Sequence, residues 1–95
     1  MNDELVKKMN DELIIDKAYV EVSGYRTRVL KSCTLEGDIP TNLSKKSGIR
    51  TNHISKTLKE LKSRGMVICI NEDAKKGRVY RLTKKGDKIK NSLDK

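Results

Sequence analysis

The run S-G-I-R-T-N-H-I-S-K-T-L-K-E-L from Ser47 to Leu61 constrains this chain more than any other stretch. Gly48 has no Cβ and so suits the left-handed backbone that ends one helix, and the Thr51 hydroxyl is placed to cap the next. Two helices therefore meet at a tight corner. Beyond it, Ile54, Leu58 and Leu61 recur at spacings of four and three, one apolar stripe of an amphipathic helix. Asn52, His53, Lys56, Lys59 and Ser63 fall on the opposite side. That second face is either simply solvated or a set of hydrogen-bond donors and cations with a partner to meet.

The distribution of charge bears on this choice. Across 95 residues there are 22 Lys and Arg against 13 Asp and Glu, a net +9. Residues 1–23 are net −3, residues 24–65 net +7 and residues 66–95 net +5. The corner thus lies in the most basic portion, and a basic surface on one small domain points to a polyanion, most often nucleic acid. With three Tyr and no Trp or Phe, the core must be built from Ile, Leu, Val and Met. Regular apolar spacing from about Tyr25 to Leu82 argues against disorder, although 37% of residues are charged.

Other classes are disfavoured. Cys33 and Cys69 stand apart, with no C-x-x-C and no neighbouring His, so they do not form a zinc site. They are read as two reduced, partly buried thiols, with one disulfide or a redox switch as the alternative. A single His, no metal constellation and no glycine-rich phosphate loop leave no catalytic set, so neither an enzyme nor a cofactor is expected. No apolar run reaches the roughly 20 residues of a membrane span. With no targeting segment visible, a cytoplasmic protein is expected.

Along the chain, Met1-Asn-Asp-Glu-Leu5 is nearly repeated as Met9-Asn-Asp-Glu-Leu13, which sets Leu5, Met9 and Leu13 at helical spacing. This segment is either an amphipathic helix against the domain or a second subunit, or a frayed leader with Met9 as an alternative start. Residues 12–22 are expected to be ordered and mostly helical. Ser23 opens the first core helix, with Tyr25, Val29, Leu30 and Cys33 on one face. Thr34 to Asp38 reads as a loop. Pro40 begins a short supporting helix to about Lys46, anchored by Leu43 with Ile39 and Ile49 beside it. After the long helix, Gly65 is its C-terminal cap, and the pattern then changes period. Met66 to Ile70 and Arg78 to Leu82 read as an antiparallel hairpin, with Met66, Ile68 and Ile70 facing Tyr80 and Leu82 on the core side. Its tip carries Lys75, Lys76 and Arg78. Thr83 caps a last helix from Lys84 to about Leu93, with Ile89 and Leu93 inward and Gly86 weakening it slightly.

This order of elements resembles the winged helix-turn-helix domain: mainly α, a three-helix core plus a small β-hairpin wing, with added N- and C-terminal helices. Residues 1–18 would be an N-terminal helical segment and possible dimer arm, and residues 19–95 the DNA-binding domain. The runs S-G-Y-R-T-R-V-L, I-P-T-N-L-S-K-K-S-G-I-R-T-N-H-I-S-K-T-L-K-E-L-K-S-R-G-M-V and N-E-D-A-K-K-G-R-V-Y-R-L-T-K-K-G look like small archaeal transcriptional regulators related to the MarR and ArsR families. The likeness covers about residues 19–90. There are departures. Ile39 stands where many relatives have a capping Thr before Pro, so Asp38 or water must serve the first N–H groups. The paired Cys or His/Asp ligands of metal sensors are lacking, which argues against metal sensing.

The resemblance implies that the longer helix enters the major groove, which is about 12 Å wide and displays a distinct donor and acceptor code. Arg50, Asn52, His53 and Lys56 are then the base-reading candidates, and Lys59 reaches phosphate. Thr51, Ser55, and Thr41, Ser44 and Lys45 of the supporting helix are candidates for the backbone. Lys75, Lys76 and Arg78 would follow the neighbouring minor groove or its phosphates, unless they only solubilise a turn. The function implied is a sequence-specific double-stranded DNA-binding regulator, a repressor acting as a homodimer through residues 1–22 and 84–95, with no metal or membrane. The alternatives are a protein-interaction winged helix and a non-specific or RNA binder. The latter is disfavoured because it lacks exposed aromatic platforms, the tyrosines sitting in patterns that read as buried.

Overall fold

In this computed structural model, residues 3–93 are described, with side chains from Asp11 onward. The Ser23 hydroxyl accepts from the Arg26 N–H at 3.1 Å and opens helix α2 (Gly24–Ser32), as expected. Before it, α1 (Asp3–Glu21) is one helix, so the expected order over residues 12–22 is present. Its Leu13, Tyr19 and Val20 turn inward, while Ile14 and Ile15 stay exposed. The side chains of Leu5 and Met9 lie outside the described residues, as do Met1 and Asn2 entirely.

The short helix α3 (Pro40–Ser47) starts at its proline, with Ile39 in the capping position and no side-chain cap. Asp38 serves nearby instead. Its Oδ1 accepts from the Ile39 N–H and the Asn42 amide, both at 2.8 Å, and its Oδ2 meets Lys46 Nζ at 2.8 Å. The Lys46 ammonium, then the Asn42 amide, hold the Asp38 carboxyl below the usual carboxylate range.

At the corner, Gly48 takes a φ of 72°, the left-handed conformation its place predicts. The corner is held from outside by α2. Arg28 donates from Nε at 3.1 Å and Nη2 at 2.5 Å to the Ser47 carbonyl, one of the orphan acceptors that end α3. Within the turn, the Ser47 hydroxyl accepts from the Ile49 N–H at 3.2 Å, and the Ser44 hydroxyl donates to the Ile49 carbonyl. Thr51 does not cap α4 (Thr51–Ser63). A cap must come from the extended residue just before the helix, and that residue is Arg50, which makes no side-chain cap bond. Ile54, Leu58 and Leu61 are fully buried as the spacing predicts, joined by Thr57, whose hydroxyl donates to the His53 carbonyl at 2.8 Å.

Helices α2, α3 and α4 and the hairpin enclose one core of Val29, Leu30, Cys33, Leu43, Ile49, Ile54, Leu58, Leu61, Met66, Val67 and Leu82, with Val20 added from α1 and Ile89 from the last helix. Tyr25 departs from the expected inward face. It is 44% exposed, because its place in the first turn of α2 turns it toward α4 rather than into the core.

Gly65, with φ 72°, ends α4 and turns the chain into β1 (Val67–Cys69), which pairs antiparallel with β2 (Tyr80–Leu82). The facing is one residue off the expected one. Val67 pairs with Leu82 and Cys69 with Tyr80, so Ile68 and Ile70 point outward at 37% and 54% exposure. Met66 is buried but precedes the strand: its N–H donates to Leu61 and its carbonyl accepts from Thr83. Because side chains alternate strictly, counting the strand from Met66 inverts every later position. The 34–38 segment is also more than a loop. Asp38 and Tyr80 exchange both backbone hydrogen bonds at 2.9 Å, and the Leu82 N–H donates to Thr34, so this stretch edges the hairpin.

Thr83 caps α5 (Lys84–Ser92) by accepting from the Gly86 N–H at 3.0 Å. Gly86 is buried against the Met66 carbonyl, so its role is close approach of two backbones and not a minor loss of helix propensity.

One buried charge ties the outer helices to α4. Asp16 of α1 is 4% exposed and meets Lys85 Nζ of α5 at 2.5 Å and Arg64, just after α4, at 3.5 Å. The guanidinium groups of Arg64 and Arg26 both lie over the Tyr19 ring, at 4.3 and 3.9 Å.

Both cysteines are free thiols. Cys33 is buried and its thiol is pushed up to about 12 by that burial, against the opposing pull of Lys90 and Lys46. Cys69 is half-buried. Iodoacetamide at mildly alkaline pH is therefore expected to label Cys69 first in the native protein and both thiols in denaturant. Equal native labelling of the two, read by peptide mass spectrometry, would contradict the burial of Cys33.

Candidate nucleic-acid interface

The first two turns of α4 present Thr51, Asn52, Ser55 and Lys56 to solvent, with Lys59 one turn further along. The buried stripe on the other side of α4 forces this display: once Ile54, Leu58 and Leu61 are in the core, these residues have nowhere else to point. His53 is half-buried, its ring centroid 5.1 Å from that of Tyr25 at an interplanar angle of 40°. Arg50 is exposed at the entry to the helix.

Between α4, the start of α3 and the hairpin tip runs an open groove of about 540 Å³, lined by Thr41, Ser55, Lys59, Lys75, Lys76 and Arg78 together with Ile39, Pro40, Gly77 and Tyr80. Six of the thirteen residues singled out in the sequence therefore meet in one groove, drawn from three separate elements. His53 and Lys56 line a second cleft with Ser23, Tyr25, Arg26, Thr57 and Glu60. Arg50, Thr51, Asn52 and Lys45 are exposed outside both, and Ser44 is half-buried with its hydroxyl engaged in the corner.

The hairpin tip is held in shape by a residue that neither charge nor apolar spacing singles out. Asn71 accepts from the Val79 N–H at 2.7 Å and donates to the Gly77 carbonyl at 3.1 Å, so one side chain spans the turn. An Asn at the end of a strand before a polar turn was the available signal. Arg78 Nε donates to the Ala74 carbonyl at 2.8 Å, which orients its guanidinium. Glu72 at the near end pairs with Lys62 of α4, and each holds the other in its charged form: the carboxyl is lowered and the ammonium raised. This pairing links α4 to the wing and neutralises one of the two acids beside the tip, so that Lys75, Lys76 and Arg78 outnumber the exposed Asp73 there. Among the described residues, no three His, Cys, Asp or Glu gather as a metal site, and no helix is long and apolar enough to cross a membrane.

A tri-helical core with a glycine corner, a polar long helix and a cationic hairpin defines a winged helix. The chain belongs to the winged helix-turn-helix family, whose profile matches residues 26–95. Its fold is similar to that of a MarR family transcription regulator, with a TM-score of 0.67 and 18% identity over 96% of this chain and 62% of that one. It is similar also to Streptococcus pneumoniae FabT solved in complex with DNA, at 0.61 and 20% over 98% and 71%. The multiple antibiotic-resistance repressor MarR from Listeria monocytogenes matches at 0.58 and 16%, over 93% and 61%. The chain thus spans less than two thirds of the length of two of these three. No curated protein matches it.

Proposed function

We propose that this protein is a sequence-specific double-stranded DNA-binding transcription regulator, acting as a repressor by occupying a promoter. The observation that carries this reading is the groove that joins Lys59 and Ser55 of α4, Thr41 of α3 and the wing cations Lys75, Lys76 and Arg78. A phosphate strand fits such a trough, since hydroxyls and ammonium groups there position a duplex without reading it. The exposed start of α4 then enters the major groove. Arg50 and Asn52 make fork-like bonds to guanine and adenine edges, and His53 and Lys56 complete the reading set. Thr51, Ser44 and Lys45 flank it at the backbone. No side chain caps α4, so N–H groups of its first turn are open to a phosphate oxygen. The S. pneumoniae relative solved with DNA supports this use of the fold.

Reading enough sequence calls for two copies, with their long helices about 34 Å apart on a pseudo-palindrome. Residues 1–18 serve as the dimer arm of this reading, ahead of the DNA-binding domain of residues 19–95. The exposed Ile14 and Ile15 of α1, at 66% and 58%, supply apolar surface for a two-fold contact with α5 beside them.

Selection from a random duplex pool tests the reading. The wild type is expected to enrich a palindromic consensus, and Asn52→Ala to relax it at one position per half-site by roughly tenfold or more. Enrichment of no sequence, with binding that only weakens as salt rises, would refute specific regulation.

A further inference from the structure

Tyr25 is an aromatic side chain without a core to serve. It is 44% exposed and stands outside the hydrophobic cluster that Tyr19 and Tyr80 pack against. The cleft it lines holds Ser23, Arg26, Lys56 and Glu60, with no aliphatic side chain among them. What its ring does meet is the ring of His53, at 5.1 Å between centroids and 40° between planes. The two come from different helices, and the α2 on which Tyr25 rides is fixed in the core by Val29, Leu30 and Cys33.

A histidine in the first turn of a solvent-facing helix ordinarily samples several rotamers, and that freedom must be surrendered when its imidazole addresses a base. A ring packed against one side removes much of it beforehand, which is preorganisation. An imidazole N–H held in one direction can donate to the N7 acceptor that both purines display in the major groove. We infer that Tyr25 is a positioning residue for DNA specificity: its ring holds His53 so that the imidazole selects a purine at one position of each half-site. This rests on the DNA-reading function proposed above. The contact is between the two rings, so phenylalanine should substitute and alanine should not.

The test is the same random-duplex selection, run with wild type, Tyr25→Ala, Tyr25→Phe, His53→Ala and the Tyr25→Ala/His53→Ala pair, with thermal unfolding of each to verify the fold. A purine preference at one position should fall by roughly tenfold in both alanine variants, fall no further in the pair, and survive in Tyr25→Phe. Positions read by Asn52 should be untouched. If Tyr25→Ala keeps that preference, or weakens all sequences equally, the positioning role is wrong while the regulator stands. If the wild type itself enriches nothing, sequence reading fails first and takes this inference with it.

Discussion

Replacing Gly86 with alanine is expected to lower the melting temperature by about 8 to 16 °C, equivalent to roughly 2 kcal/mol in a domain of this size. Two effects oppose each other. Alanine is the better helix former by about 1 kcal/mol, and α5 is a short helix that would profit. Against that, a Cβ at position 86 would fall 2.8 Å from the Met66 carbonyl carbon and closer still to its oxygen. The obstacle is backbone and cannot rotate away. Nor can Met66 retreat without strain elsewhere, since its carbonyl accepts from the Thr83 N–H at 3.1 Å and its N–H donates to Leu61 at 3.0 Å. Overlap therefore wins. Gly24→Ala is the control, because nothing lies within 4 Å of a Cβ there, and it should be neutral or slightly stabilising. Should Gly86→Ala melt as high as wild type in a circular dichroism scan, the close approach of α5 to the start of β1 would be disproved.

The second large effect concerns the wing. Changing Lys75, Lys76 and Arg78 together to glutamine should reduce affinity for duplex DNA about a hundredfold near physiological salt. The slope of log affinity against log salt should become shallower by about 2.7, the counterion release of three phosphate contacts. Base preference should stay the same if, as proposed, these cations set position and do not read sequence. All three are exposed and none joins the core, so the fold should survive their loss. An unchanged salt slope would show that the hairpin tip only solubilises the protein.

Much of this architecture is legible in the residues because the signals are local. Gly48, Gly65, Ser23 and Thr83 each mark a helix boundary through their own backbone or hydroxyl chemistry, and all four are found in those places. The apolar stripe of α4 is equally plain, and it determines which polar residues are left outside. What could not be read depends on contacts distant in sequence. Asp16 lies 48 residues from Arg64, and no periodicity shows that an acid on the inner stripe of α1 will meet the two cations that make its burial tolerable. Gly86 reads as a flaw until Met66 is placed beside it. The outward turn of Ile68 and Ile70 follows from where β1 begins, a one-residue matter that hydrophobicity alone leaves undetermined. Spacing places Tyr25 inward, yet the start of a helix has fewer neighbours to cover it.

The guanidinium of Arg28 closes the carbonyl end of α3 from a helix that contributes nothing to the groove. A genetic screen for lost promoter binding should therefore return alleles of two kinds. Some will alter the charged and polar residues of the groove. Others will fall at codon 28, where the protein still accumulates but the angle between α3 and α4 is no longer enforced, and such alleles should be rescued by second-site changes that stiffen the corner itself.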